Sequence, residues 1–221
     1  MANVAAERER MVEEVEAMYA ETAVETGLES MSSAVRGALG KVERHRLVPA
    51  QEVLRAYGNF PLSIGAGQTI SQPYIVALST DLIDPRAGQV VLEVGTGSGY
   101  QAAILAEIVA KVYSIEVVPE LGRSATERLA ELGYANLELR VGDGYAGWPQ
   151  KAPFDAIVVT AAAAQVPAAL VDQLKPGGRM VIPLGERSGA QELTLISKRA
   201  DGRVERTSVL PVRFVPLVHG A

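Results

Sequence analysis

The stretch VVLEVGTGSGYQAAILA, residues 90–106, decides the fold. Val90 to Val94 are apolar except for Glu93, the continuous pattern of a strand buried on both faces. Gly95, Gly97 and Gly99 form a turn, and Tyr100 begins a helical run that reaches about residue 110. The same alternation repeats downstream. KVYSIEV (111–117) reads as a second strand, and Pro119 opens a helix to about Leu132. NLELRV (136–141) and FDAIVVT (154–160) read as the third and fourth strands. PAALVDQL (167–174) is helical, and RMVIPL (179–184) is a fifth strand after a turn at Lys175-Pro-Gly-Gly178. ELTLISK (192–198), Asp201-Gly202 and the run from Arg203 read instead as an antiparallel hairpin. The expected fold is α/β: a Rossmann-like, doubly wound, mostly parallel seven-stranded sheet with an antiparallel C-terminal edge hairpin.

Upstream, the pattern is helical. Residues 5–22 space Met11, Val15, Met18 and Tyr19 at helical intervals on an acidic background. Gly27 breaks this run, a second helical stretch lies near 30–39, and a short third follows Pro49. IGAGQTISQPY (64–74) then reads as a loop, glycine-bearing, hydroxyl-bearing and without charge. Pro73 opens a helix that Asp84-Pro85 stops. The expected division is an N-terminal helical appendage at 1–57 and a ligand-binding domain at 58–221.

Composition excludes several classes. With 48% hydrophobic residues among 221, the chain can bury one large core. A net charge of −5 opposes a nucleic-acid backbone as partner, since phosphate binding needs a basic face. No cysteine is present, so disulfides and thiol catalysis are excluded. His45 and His219 are the two histidines, too few for a multi-histidine centre, and no metal is expected. The charged N-terminus lacks an apolar leader, and no apolar run of about 18 residues occurs. A cytoplasmic monomer without membrane contact is the expectation.

Spacing alone leaves open which nucleotide the turn holds. Gly95, Gly97 and Tyr100 fail G-x-G-x-x-G, whereas Gly97, Gly99 and Ala102 satisfy its alanine variant, so a nicotinamide dinucleotide stays open. Glu93 is expected to face the cleft, where its carboxylate would repel a pyrophosphate. It suits the positively charged amino and sulfonium end of S-adenosylmethionine. Glu116 ends the second strand about 20 residues past the turn, the place of an acid that accepts ribose hydroxyls. Asp143, after the third strand, suits an adenine amino group, and Gly144 lets the ring lie against the backbone. Singly, Glu116 has the lesser reading of a solvated strand end, and Gly142-Asp-Gly144 reads equally as a plain turn. Three acids at three successive strand ends are the specific signal.

Further segments extend the pattern: RHRLVP (44–49), AYGNFPLSIGAGQTISQPY (56–74), VGDGYAGW (141–148), APFDAIVVTAAA (152–163), QLKPGGRMVIPLG (173–185) and VRFVPLVHG (212–220). With VLEVGTGSGYQAAILA (91–106), they resemble the class I S-adenosylmethionine-dependent methyltransferases. Within these, the chain resembles the bacterial-type protein-L-isoaspartate (D-aspartate) O-methyltransferase family, and TISQP with FVPL carries most of that specificity. The resemblance implies methyl transfer from S-adenosylmethionine to the free α-carboxylate of L-isoaspartyl, and D-aspartyl, residues in damaged proteins. S-adenosylhomocysteine is then the product, and the ester loses methanol to give a succinimide that reopens to aspartate. A same-fold O-methyltransferase acting on another peptide or small acid is the alternative.

By the same resemblance, Gln68, Thr69, Glu93, Gly95, Thr96, Gly97, Gly99, Glu116, Val117, Asp143, Gly144 and Thr160 would hold the cofactor. Ser71 would be catalytic, and Ile64, Ser71, Val215, Pro216 and Leu217 would bind the substrate peptide. Two features depart from the family pattern: Asn59-Phe60, where relatives often carry charge, and the acidic helix before residue 25.

The chemistry suits these residues. A carboxylate acceptor with a pKa near 4 is already ionised, so no general base is required. A serine hydroxyl can orient it through one hydrogen bond, without the ground-state stabilisation that a lysine or arginine would add. Read alone, Ser71 is an N-cap for the helix that Pro73 opens. It lacks the G-x-S-x-G context of a covalent nucleophile. His45 reads as a solvated surface residue, His219 as a polar chain end, and Tyr145 and Trp148 as packing.

Overall fold

The computed structural model describes residues 4–186 and 189–220. The N-terminal residues form helices α1 (Val4–Glu21), α2 (Ala23–Thr26) and α3 (Ser33–Lys41), followed by 3-10 turns at Arg44–Arg46 and Ala50–Arg55. Strands β1 (Leu62–Gly65) and β2 (Gln68–Ile70) make a small antiparallel hairpin, and helix α4 (Pro73–Leu82) follows. The main sheet then alternates with helices: β3 (Val90–Val94), α5 (Tyr100–Ala106), β4 (Lys111–Glu116), α6 (Pro119–Glu131) and β5 (Leu137–Val141). It continues through β6 (Phe154–Val159), α7 (Ala168–Gln173), β7 (Leu174–Leu184), β8 (Gln191–Lys198) and β9 (Val204–Val212).

The seven strands lie in the order β5-β4-β3-β6-β7-β8-β9, with β8 and β9 antiparallel at one edge. From β3 the chain winds outward through β4 to β5, then crosses to β6 on the other side. Strand order therefore reverses at β3, and the carboxyl ends of β3, β4 and β6 border one crevice. This agrees with the seven-stranded, doubly wound expectation. Val91 to Val94 are buried, as a strand covered by helices on both sheet faces must be. No described helix is long and apolar enough to cross a membrane.

Three local readings change. The neutral segment at 64–74 is a hairpin through residue 70, not an open loop: Gly65, Ala66 and Gly67 have φ of 88°, 51° and 70°. Its glycines serve a left-handed reversal. The helix after Tyr100 ends at Ala106, four residues short. Lys175-Pro-Gly-Gly178 is drawn into the start of β7 as a bulge, with Phe154 opposite Leu174 but Ala156 opposite Arg179. A Cβ at Gly178 would stand 2.8 Å from the Asp155 carbonyl, so the bulge can lie against β6 only as glycine.

The N-terminal helices join the main core. Met11, Val12, Val15 and Tyr19 of α1 are buried in one cluster with Val35, Leu39, Ala77 and Tyr100. Arg44, 0% exposed, donates from Nε to the Ala56 carbonyl at 2.8 Å, and its guanidinium lies 4.6 Å over the Tyr100 ring. Burial lowers its pKa to about 10, so it stays cationic at neutral pH. It ties the segment before β1 to the first residue of α5.

Candidate active site

The glycine turn is shaped by what surrounds it. Gly95 has φ of 99°, and a Cβ there would stand 2.4 Å from Thr160 Oγ1. That hydroxyl donates to the Gly95 carbonyl at 2.6 Å, clamping the end of β3 to the end of β6. Gly99 serves packing: its missing Cβ leaves room for Leu129 of α6, which would otherwise be 2.8 Å away. It lies behind the cleft. Gly144 likewise has no space for a Cβ, with Val94 Cγ1 2.5 Å from that point.

Glu116, 5% exposed, is pinned at the end of β4. One carboxylate oxygen accepts from Gly97 N–H at 2.7 Å, the other from Val118 N–H at 2.9 Å. Each retains a lone pair for a hydroxyl. Gln68, Thr69, Gly95, Gly97, Glu116 and Val117 line one cleft. Gly144, Thr160 and the segment from Val215 to Val218 complete it.

Glu93 differs from expectation. It does not face the open cleft but is 0% exposed beneath the turn, because β3 is covered on both faces. It accepts a bond from the Ser114 hydroxyl, which lies 2.5 Å from the Thr96 hydroxyl. The Thr96 hydroxyl is thus engaged inside the core. The second Glu93 oxygen is buried without a partner, and the residue borders a small cavity that Thr69, Ser71 and Thr160 also line. Burial, with a smaller push from Glu116, raises its pKa to about 8 against the bond from Ser114. Ser114 escaped the sequence reading, since a strand-interior serine carries no motif.

Asp143 stands at the rim. Its two oxygens meet Tyr145 N–H at 2.8 Å and His219 Nδ1 at 2.9 Å. Burial opposes ionisation, but these bonds outweigh it and hold the carboxyl below its usual range. The His219 ring stacks on Tyr145 with centroids 4.1 Å apart, so the expected free chain end is a latch on Asp143. His45 is also corrected: it is half-buried, 2.8 Å from the Tyr57 hydroxyl. Trp148 packs in the core as expected, edge-on to Tyr113.

The acceptor side lies across Thr69 and Thr160. Ser71 is half-buried between β2 and α4, and among the described residues its hydroxyl has no hydrogen-bond partner. The N-cap position belongs to Gln72, which makes no capping bond, so the capping role read for Ser71 alone does not hold. Thr69, Ser71, Thr160 and Val215 border a second cavity of about 460 Å³. Ile64 lies elsewhere, packed against Gly97. Val215 O accepts from Ala162 N–H at 2.8 Å, and Leu217 N–H donates to Ala162 O at 2.7 Å. These two backbone groups are therefore already used within the chain.

The arrangement fits an adenosyl cofactor on observations of its own: a cleft lined by Gly95, Gly97, Glu116 and Gly144 at the carboxyl ends of the strands, and the unpartnered buried oxygen of Glu93. Comparisons agree. The protein-L-isoaspartate(D-aspartate) O-methyltransferase family model matches residues 7–221. The chain is 55% identical over 207 residues to protein-L-isoaspartate O-methyltransferase 2 of Polaromonas sp., covering 94% of this chain and 98% of the relative. It is 54% identical to the protein of the same name from Syntrophobacter fumaroxidans, covering 97% of this chain and 87% of that one. A solved protein-L-isoaspartate O-methyltransferase superposes with a TM-score of 0.83 at 27% identity; it covers 95% of this chain, which spans 65% of that chain. A Plasmodium falciparum chain described as a β-aspartate methyltransferase, solved with S-adenosylhomocysteine, gives 0.77 at 25% identity over 99% of both. With a family match over residues 7–221 and more than half its residues shared with such relatives, this chain belongs to the protein-L-isoaspartate(D-aspartate) O-methyltransferase family.

Proposed function

We propose that Ser71 orients the α-carboxylate of an L-isoaspartyl residue for methylation at the junction of the two cavities. The chain is a protein repair methyltransferase that uses S-adenosylmethionine. The observation that carries the reading is the Ser71 hydroxyl, free of any bond within the described chain and on the wall of the acceptor cavity. Thr69 and Thr160 belong to both cavities, so a group held on one side adjoins a group held on the other.

The cofactor, when bound, supplies an electrophilic methyl on a sulfonium. Glu116 would accept the ribose hydroxyls with its remaining lone pairs. Gly95 and Gly97 let the backbone approach, and Gly144 and Asp143 would border the adenine. Glu93 would present its unpartnered oxygen toward the cationic end. On the acceptor side the nucleophile is already an anion, so Ser71 donates one hydrogen bond and removes no proton. What the surrounding residues contribute is alignment and exclusion of water, the ordering that supplies several kcal/mol in such transfers. Among the described charged residues, Arg213 alone lines the acceptor cavity, and it is exposed. A cation bonded directly to the carboxylate would favour the charged ground state over the less charged transition state.

Residues 58–221 would hold this chemistry and 1–57 would cap it, residues 1–3, 187, 188 and 221 lying outside those described. The enzyme would act as a monomer on damaged peptides, and a net charge of −5 supports partners without a phosphate backbone. The test is incubation with labelled methyl donor and paired peptides, one isoaspartyl and one aspartyl. Labelling confined to the isoaspartyl peptide is expected. Equal labelling, or none, overturns the reading.

A further inference from the structure

The acceptor cavity is larger than a carboxylate requires. At about 460 Å³ it falls in the range of pockets that enclose a whole small ligand, roughly 300–1,000 Å³. Ser71, Thr69 and Thr160 line it, and the last two also line the cofactor cleft. Met18, Thr22, Ile75, Leu210, Val212 and Phe214 form much of the rest. Most of that wall is apolar. Two of these residues, Met18 and Thr22, come from α1 and the turn after it.

α1 is held at this wall by several bonds. The Asn59 amide donates to the Met18 thioether at 3.0 Å, and the Asn59 carbonyl accepts from Tyr74 N–H at 3.0 Å. The Thr22 and Tyr74 hydroxyls bond to each other. Tyr19 donates to Asp81 at 2.6 Å and meets the Tyr74 ring edge-on at 5.7 Å. All of these partners sit on α4 or just before β1. The wall is therefore built in place rather than draped over the opening.

We propose that Met18 and Thr22, with Ile75, Leu210, Val212 and Phe214, form a subsite for a bulky apolar side chain adjacent to the isoaspartyl residue. This rests on the isoaspartyl reading above. A substrate with its carboxylate at Ser71 must place a neighbouring side chain in the remaining volume. Glycine would leave that wall wet, and a charged side chain would be desolvated against it.

The test is a panel of isoaspartyl peptides carrying leucine, phenylalanine, glycine or aspartate at the residue before or after the isoaspartyl. At one of the two positions, leucine or phenylalanine should raise kcat/KM about tenfold over glycine, the factor corresponding to about 1.4 kcal/mol. Aspartate should stay below leucine and phenylalanine, although Arg213 lines the same cavity. In Met18→Glu the apolar-to-glycine ratio should drop toward one, while binding of S-adenosylhomocysteine reports that the variant is folded. Equal kcat/KM across the panel for the native chain overturns the subsite without touching the isoaspartyl reading. So does an unchanged ratio in a folded Met18→Glu. Should that variant not fold, the native panel alone decides. Failure of every isoaspartyl peptide to be methylated overturns both.

Discussion

The two halves of the site are built in opposite ways. The cofactor half is made of backbone: a glycine turn, two strand ends, and a carboxylate held by the Gly97 and Val118 amides. Its residues fall within short runs, and its side chains are mostly spent on one another. The acceptor half is assembled from α1, β2, the start of α4 and the segment at 210–215, far apart in the chain. It is roomier, and its central hydroxyl is unspent. A site for a fixed cofactor can be rigid and local. A site for varied damaged peptides needs volume and a free donor.

The contrast breaks most directly at Gly95. Gly95→Ala places a Cβ against Thr160 Oγ1 at a φ of 99°, at a cost of about 2–6 kcal/mol from strain and overpacking. Binding of S-adenosylhomocysteine, measured by calorimetry, should be lost, whereas an equal change on the acceptor side should spare it.

Glu93 sharpens the cofactor half through pH. Its folded-state value of about 8 lies above the ordinary 4.5, so between these the folded chain holds a proton that the unfolded chain has released. The stability this supplies is complete below 4.5 and is lost as pH rises through about 8. It amounts to about 5 kcal/mol by linkage. Chemical denaturation of the unliganded protein should show stability falling over this window, and Glu93→Gln should flatten the fall. A Glu93→Gln profile parallel to the native one would refute the assignment.

Ser71→Ala tests the acceptor half. A hydrogen bond to a charged group is worth about 1.5–3 kcal/mol, so turnover on isoaspartyl peptide should fall about 10- to 100-fold. Cofactor affinity should be unchanged, since that hydroxyl bonds to nothing else in the described chain. The smallest effect is expected at His219. Its ring is 72% exposed against Asp143, and such pairs contribute about 0–1 kcal/mol. His219→Ala should shift the urea midpoint little, and a loss well above 1 kcal/mol would show the latch to be structural.

The two halves were also unequally legible. VVLEVGTGSG announces a strand and a ligand turn because periodicity and glycine act within a few residues. Glu116 was found by its distance from that turn. The acceptor residues were reached through resemblance, since TISQP by itself reads as a helix start. Glu93 shows where position alone misleads: two residues before a glycine turn suggests the cleft, but the coverage of β3 by helices placed it beneath. KPGG misled similarly, because a turn-forming sequence was accommodated as a bulge against β6.

What the sequence determined by itself was the alternation of strands and helices, the glycine turn and the absence of thiol chemistry, all properties of neighbouring residues or of composition. Tertiary structure alone decided that Met18 reaches the acceptor cavity, that Ala162 uses the Val215 and Leu217 backbone, and that His219 closes on Asp143. Those contacts join residues tens to hundreds of positions apart. No local pattern encodes them, because they form only when the whole core brings their elements together.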